Sequence, residues 1–241
     1  MSSTPSSAPA GTPGIPTDPA LPPAEVPLPP VPWWGVLSAV GGPVVLAAGY
    51  LYAASLTPGY QHVRQSLSDL GALSADTRWL MAAALGLLGV SYIVTAIGLR
   101  PADTAGRWLL GAAGVGMISI ALVPNNVVGK FTLRHTLGSI LTFGLLAMWT
   151  AASGHLGPRV PWPLRRRVGV IIAGVALVLI ELTLWGLILS SDNNGVREVL
   201  LYAVTALWPL VVVLWTKVRG PGWAIPPVRR VSPARGREPA R

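Results

Sequence analysis

Five side chains in this chain have the chemistry to bind or activate a polar group. They are His62, Asp69, His135, Glu181 and Arg197. Imidazole and carboxylate groups are ligands that zinc and similar ions accept, and a metal-bound water could attack a lipid ester or amide. His62, Asp69 and His135 are the candidate metal ligands. The alternative is a hydrogen-bonded network that ties loops to helix ends, and the absence of an HExxH or similar ligand spacing favours it.

The longest polar interruption between two apolar runs is the stretch 60–73, with the sequence YQHVRQSLSDLGAL. Within it Val63, Leu67 and Leu70 recur at i, i+4 and i+7, which predicts the apolar face of a short helix, with Asp69 on the opposite face. We expect this helix to lie across the membrane interface, because long apolar runs precede and follow it.

Other catalytic chemistries find little support in the sequence. The chain has no cysteine, which removes disulfides, thiolate metal sites and cysteine nucleophiles. Ser66 or Ser68 could act as a nucleophile, but serine beside aspartate is typical of a helix cap, and no GxSxG elbow is present. The glycine-rich segment 111–116 lies inside an apolar run, which indicates close helix packing rather than a phosphate loop. We expect no cofactor.

The composition places these residues in a membrane protein. Of 241 residues, 51% are hydrophobic and 11% are charged, whereas soluble domains carry roughly 25% charged residues. The apolar residues come in blocks of about twenty, the length that crosses a bilayer as a helix. The sequence therefore predicts an all-α membrane protein, a six-helix transmembrane bundle. The predicted spans are 33–56, 79–99, 108–123, 136–153, 168–190 and 199–216.

The two ends of the chain have the composition of disordered tails flanking a membrane domain at 33–217. Residues 1–32 contain eleven prolines and no Lys or Arg, and residues 218–241 contain six Arg and five Pro. Such segments bury too little apolar surface to fold. We expect the basic C-terminal tail to bind anionic lipid and not nucleic acid.

The distribution of basic residues predicts the orientation. Six spans put both tails on one side, and that side carries 13 of the 18 Lys and Arg residues. The opposite side carries five, namely Arg64, Arg78, Lys130, Arg134 and Arg197. The positive-inside rule then places both termini in the cytoplasm and the stretch 60–73 on the outer face.

Three short segments carry a resemblance to a known family. They are SLSDLGA at 66–72, the loop 124–135 that begins with proline and ends with histidine, and GVR at 195–197. In this order they resemble the bacterial membrane-protein family called domain of unknown function 998, over residues 33–217. The resemblance implies six spans and a place in the bacterial inner membrane, and it implies no established activity.

These observations favour a non-enzymatic inner-membrane protein. We expect an outward-facing pocket, formed by the five polar side chains named first, that binds or moves a lipid or small amphiphile. Two alternatives stay open. One is an outer-leaflet, metal-dependent lipid hydrolase that uses the three candidate ligands, and the other is a structural or assembly partner of envelope proteins. Membrane lipids are the expected partners.

Glu181 lies deep in the fifth predicted span. It falls about 10 Å below the outer edge at 1.5 Å per residue, and a carboxylate at that depth is costly unless it is paired, neutral or facing a wet cavity. We therefore expect Glu181 to face the bundle interior and to contact Arg134, His135 or Arg197.

The bias in basic residues makes the orientation testable. A cysteine replacing Gln61 should react with an impermeant maleimide in intact cells, and a reporter fused after Arg241 should be active in the cytoplasm. Labelling of that cysteine only after permeabilisation would reverse the orientation.

Overall fold

A computed structural model of the chain describes residues 26–189, 192–218 and 224–225. Within these residues the fold is almost entirely helical, with six long α-helices, one single-turn α-helix and a single-turn 3₁₀-helix at Trp162–Leu164. In chain order the α-helices are α1 (Trp33–Leu56), α2 (Leu67–Leu70), α3 (Arg78–Gly98), α4 (Thr104–Leu122), α5 (Leu133–Ala152), α6 (Arg166–Ile188) and α7 (Asn194–Val218).

The six long helices confirm the predicted six-span bundle. Each is long and apolar enough to cross a bilayer. The third span begins four residues earlier than predicted, at Thr104, because Asp103 caps α4: its Oδ1 accepts a hydrogen bond from the Ala105 N–H at 2.9 Å. The proline inside α1, Pro43, and the proline inside α7, Pro209, both lie within continuous helix.

Neighbouring helices in the chain are neighbours in space, and α7 closes the ring against α1. Small residues let the backbones approach. At the α3–α4 crossing a Cβ added to Gly89 would lie 2.6 Å from the carbonyl oxygen of Gly114, and the reverse also holds. At the α1–α3 crossing, a Cβ on Gly98 would lie 2.9 Å from Cα of Gly35. Close approach of this kind substitutes for the hydrophobic effect, which does not drive helices together in lipid.

The bundle has a packed interior and an apolar exterior. Met81, Leu88, Met117, Leu146 and Trp149 are fully buried along the centre. Large apolar side chains also cover the outer faces of the helices, where a soluble protein would carry polar groups; Leu141 is 66% exposed and Val178 58%. The exterior is therefore a lipid-facing surface, and the chain is a multi-pass membrane protein.

The end of the bundle at which α1 begins and α7 ends, the tail end, is closed in part by side chains that contact main-chain carbonyls. Lys217 Nζ donates to the Val31 carbonyl at 3.5 Å, and His155 Nε2 lies 2.9 Å from the Pro101 carbonyl. Val26–Pro27 (β1) pairs antiparallel with Ala224–Ile225 (β2). Apart from 26–32, 218 and 224–225, the predicted disordered tails, 1–32 and 218–241, lie outside the described residues.

The opposite end, the α2 end, differs from the expectation in one respect. A short helix follows the first span as predicted, but it is a single turn that begins after Ser66, and Val63 precedes it in a turn. Leu67, Asp69 and Leu70 are all buried. The helix therefore packs against the end of the bundle, where the Leu67 N–H finds a partner in Glu198.

The α3–α4 crossing predicts the effect of adding one methyl group. Gly89→Ala places its Cβ against a backbone oxygen that cannot rotate away, so it should lower the thermal unfolding midpoint in detergent. Overpacking costs about 1–3 kcal/mol, more than the roughly 1 kcal/mol that alanine gains in helix propensity. Gly86→Ala is the matched control, since nothing lies within 4 Å of a Cβ there. Equal midpoints for the two variants would contradict this packing.

Candidate functional site

Glu198 joins α7 to the short helix α2. Its side chain is 8% exposed. Oε2 accepts a hydrogen bond from the Leu67 N–H at 2.6 Å, and Oε1 accepts one from the Ser68 hydroxyl at 2.9 Å. Leu67 is the first residue of α2, so the carboxylate meets N–H groups that have no partner inside the helix. A carboxylate from a distant part of the chain thus caps α2.

His135, in the first turn of α5, extends this arrangement. Its Nδ1 lies 2.9 Å from the carbonyl oxygen of Val123, and its Nε2 lies 3.3 Å from the Ser68 hydroxyl oxygen. A carbonyl can only accept, so Nδ1 carries a hydrogen and Nε2 faces the serine. Glu198, Ser68 and His135 therefore form one connected chain from α7 through α2 to α5.

Asp69 has a different role on the same short helix. It forms a capping box with Ser66: the Ser66 N–H donates to Asp69 Oδ2 at 2.9 Å, and the Asp69 N–H donates to the Ser66 hydroxyl at 3.1 Å. The other carboxylate oxygen, Oδ1, accepts from the Gly129 N–H at 2.7 Å. Gly129 has φ +73°, which turns the loop so that its N–H faces the carboxylate.

The loop 123–132 is further tied to the segment after α2. The Leu73 N–H donates to the backbone oxygen of Asn125 at 2.8 Å, and the buried Asn125 side chain accepts from the Thr132 N–H at 2.9 Å. On the other side of α2, the Tyr60 hydroxyl donates to the carbonyls of Gln65 and Ser66, both at 3.0 Å. Burial raises the pKa of Tyr60, so this hydroxyl stays protonated and remains a donor.

A pocket lies beside this network between α5, α6 and α7, and its empty space, open solvent included, is about 590 Å³. Its upper part is polar and is lined by Ser66, Ser68, His135, Asn194 and Glu198. Deeper in the bundle its lining is mostly apolar, with Ile140, Phe143, Ile180, Leu184 and Leu201, and includes the hydroxyl groups of Ser139 and Thr183. Phe131 and Leu187 are apolar lining residues at the α2 end. No lysine or arginine is among the described residues that line it.

The structure places the five predicted site residues in several different environments. His135 lines the pocket and Asp69 is buried beside it in α2. His62 lies elsewhere: its Nδ1 is 2.7 Å from the Tyr50 hydroxyl and its ring packs edge-on against Tyr60. Arg197 is half-buried, and its Nη1 donates to the Leu182 carbonyl at 3.1 Å. The predicted common pocket of five residues is therefore not formed.

The prediction that Glu181 faces the bundle interior is wrong. Glu181 is exposed on α6, and its Oε1 accepts a hydrogen bond from Trp185 Nε1, one turn along the same helix, at 2.6 Å. The face of α6 that lines the pocket carries Ile180, Thr183 and Leu184. Glu181 projects from another face, because each residue of a helix advances by about 100°.

Glu198 is the functional residue that the sequence interpretation missed. It lies one residue before the predicted sixth span, 199–216, outside the apolar run. A signal was present, since the start of that span and the serine-rich turn 66–68 fall at the same end of the predicted bundle. Ser66 was correctly interpreted as a helix cap.

The three candidate metal ligands do not converge. Among the described residues, no three His, Asp or Glu side chains lie close enough together to hold a metal ion. His62 is bound to Tyr50, and Asp69 is occupied by two backbone N–H groups. The metal-dependent hydrolase therefore lacks the ligand set that was proposed for it.

The fold and this site define a six-span helical membrane protein whose polar site lies at the end remote from the termini. The chain belongs to the family described as Protein of unknown function (DUF998), whose model matches residues 39–215. This confirms the resemblance, and the three segments that carried it meet at the α2 end. No curated protein and no solved structure matches the chain.

The two bonds accepted by Asp69 predict a loss of stability. Asp69→Asn keeps the shape but supplies one acceptor where two N–H donors face the side chain, so one donor is opposed by an NH₂ group. A broken bond of this kind costs about 1–3 kcal/mol. The thermal midpoint should fall, and amide exchange at Gly129 should accelerate. Asp76→Asn, at an exposed position, is the control; equal effects would contradict the assigned role.

Proposed function

We propose that this protein binds an amphiphile drawn from the membrane in the pocket between α5, α6 and α7. One observation carries the proposal: the pocket has a polar upper part at the end of the bundle and an apolar lower part inside the membrane-spanning region. An amphiphile has the same distribution of polar and apolar groups.

The pocket walls fit a headgroup above and a hydrocarbon chain below. Ile180, Leu184 and Leu201 offer apolar surface to a chain. The hydroxyl and carboxylate groups of Ser68 and Glu198 offer hydrogen bonds to a headgroup.

A ligand would enter from the lipid phase. Phe131 and Ile140, at the rim of the pocket, are 38% and 36% exposed on the outside of the bundle. We place the site at the outer face of a bacterial inner membrane, with both termini in the cytoplasm. The bias of basic residues toward the tail end supports this orientation.

The hydrogen bonding of the site favours binding over catalysis. Ser68 donates its hydroxyl hydrogen to the carboxylate of Glu198, which holds the oxygen as a positioned hydrogen-bonding group. No described observation favours the alternative of an assembly partner for envelope proteins. The protein therefore acts as a binding or transfer protein for an amphiphile.

Filling the pocket should abolish this binding. Ser139 lines the pocket on α5 and is half-buried, so Ser139→Trp would occupy the space intended for the chain. We expect photoreactive alkyl probes in phosphatidylcholine nanodiscs to lose their labelling of α5 and α6 peptides in this variant. Leu137→Trp adds the same ring at a position that is 56% exposed on α5 and should leave labelling unchanged. Undiminished labelling in Ser139→Trp would reject the pocket as the site.

A further inference from the structure

The polar part of the pocket carries one carboxylate, one imidazole and no cationic side chain among the described residues that line it. Glu198 and His135 are 8% and 6% exposed, so both are held away from water. The basic residues nearest to them in the chain, Arg197, Lys130 and Arg134, do not line the pocket. Lys130 and Arg134 are exposed, and the half-buried Arg197 donates from Nη1 to the Leu182 carbonyl. An anionic headgroup would meet Glu198 with no compensating cation.

The number of hydrogens shared by Glu198, Ser68 and His135 defines the charge state of this hydrogen-bonded chain. Ser68 has one hydroxyl hydrogen, and its hydroxyl oxygen lies 2.9 Å from Glu198 Oε1 and 3.3 Å from His135 Nε2. If Glu198 is ionised and His135 neutral, that hydrogen serves one acceptor and leaves the other unpaired. If both are protonated, the hydrogen on Glu198 faces either the Leu67 N–H or the Ser68 hydroxyl hydrogen.

Every donor in this hydrogen-bonded chain meets an acceptor when Glu198 and His135 share one proton. Either His135 holds it and donates through Ser68 toward Glu198, or Glu198 holds it and the two bonds run the other way. The pair is then neutral overall, which suits a site away from water. In both cases Nδ1 of His135 keeps its hydrogen and donates it to the Val123 carbonyl.

The other titratable groups around Glu198 do not donate the hydrogen bond that Glu198 or His135 lacks when the shared proton is absent. Asp69, on α2, is engaged by Ser66 and Gly129. Tyr50 from α1, Tyr60 from the α1–α2 loop and Tyr202 from α7 interact electrostatically with Glu198. The described pocket residues from α6 are not titratable.

We propose that the pocket binds an amphiphile with a protonated amine headgroup, and that the ammonium replaces the proton shared by Glu198 and His135. This inference rests on the proposed function. An ammonium has three donors and no acceptor. It can donate to the Glu198 carboxylate and to Nε2 of neutral His135, while Ser68 still donates to Glu198, so each group regains a partner. The displaced proton leaves to water.

The exchange gives binding a pH dependence of known sign. The empty site holds one proton that the occupied site lacks, so acid competes with the amine. Affinity should fall by up to about tenfold per pH unit as the pH drops below the point at which the empty site takes up its proton. An alkylamine stays charged between pH 5 and 8, because its pKa is near 10, so the dependence belongs to the protein.

The test compares two photoreactive probes of equal chain length, diazirine-bearing dodecylamine and dodecanol, on the full chain in phosphatidylcholine nanodiscs. Labelling of pocket peptides is measured by mass spectrometry from pH 5 to 8. At pH 8 we expect the amine to reach half-saturation at a concentration about tenfold or more below that of the alcohol. As the pH falls, the half-saturation concentration of the amine should rise, and that of the alcohol should stay constant.

Two carboxylate variants separate the site from the rest of the protein. Glu198→Gln should lose both the preference for the amine and its pH dependence. Glu181→Gln removes an exposed carboxylate outside the pocket and should keep both. If Glu198→Gln fails to fold, the comparison of amine and alcohol on the wild-type protein still decides whether the pocket prefers the amine.

The outcomes distinguish this inference from the proposed function. Saturable labelling of the pocket by both probes, with equal and pH-independent affinity, would overturn the amine assignment and leave amphiphile binding standing. Tighter binding of dodecyl phosphate than of dodecylamine, as competitors of the photoprobe, would also overturn it. Saturable labelling of the pocket by neither probe would overturn the proposed function itself.

Discussion

A carboxylate one turn inside a membrane helix must be balanced by donors, and in this protein the four-residue helix α2 provides them. Glu198 accepts from the Leu67 N–H and from the Ser68 hydroxyl. This pair of hydrogen bonds has two consequences. It satisfies a charge that would be costly near lipid, and it holds a helix too short to be stable alone. The α2 end of the bundle depends on these hydrogen bonds, because neither the Glu198 carboxylate nor the short helix α2 would be stable without the other.

The remaining contacts at the α2 end build outward from that interaction. Asp69 uses one oxygen to cap α2 and the other to hold the loop before α5. His135 then approaches Ser68 from α5. Three segments that are far apart in the chain are joined through one helical turn. The pocket beside them has polar and apolar regions because the network ends where the apolar faces of α5, α6 and α7 begin.

Two kinds of packing hold the bundle below this network. Small residues bring α3 and α4 into backbone contact at Gly89 and Gly114, which gains dispersion energy where lipid offers no hydrophobic driving force. Larger apolar side chains fill the centre, and others cover the exterior. Contacts between α5 and α7 are few, because the pocket lies between these helices and α6.

The sequence by itself determined the six spans, their antiparallel order and the end of the bundle at which Asp69 and His135 lie, because hydrophobic length and helix caps are local properties. It determined less about the site. Glu181 looked functional from its depth alone, yet the rotation of α6 turns it outward. Glu198 lies just outside the predicted sixth span and was not singled out, yet the ring of helices brings it to α2. Which face of a helix meets its neighbours depends on how all six pack, and which N–H groups remain for a carboxylate depends on where a distant turn is held. Only the tertiary structure decides these two questions.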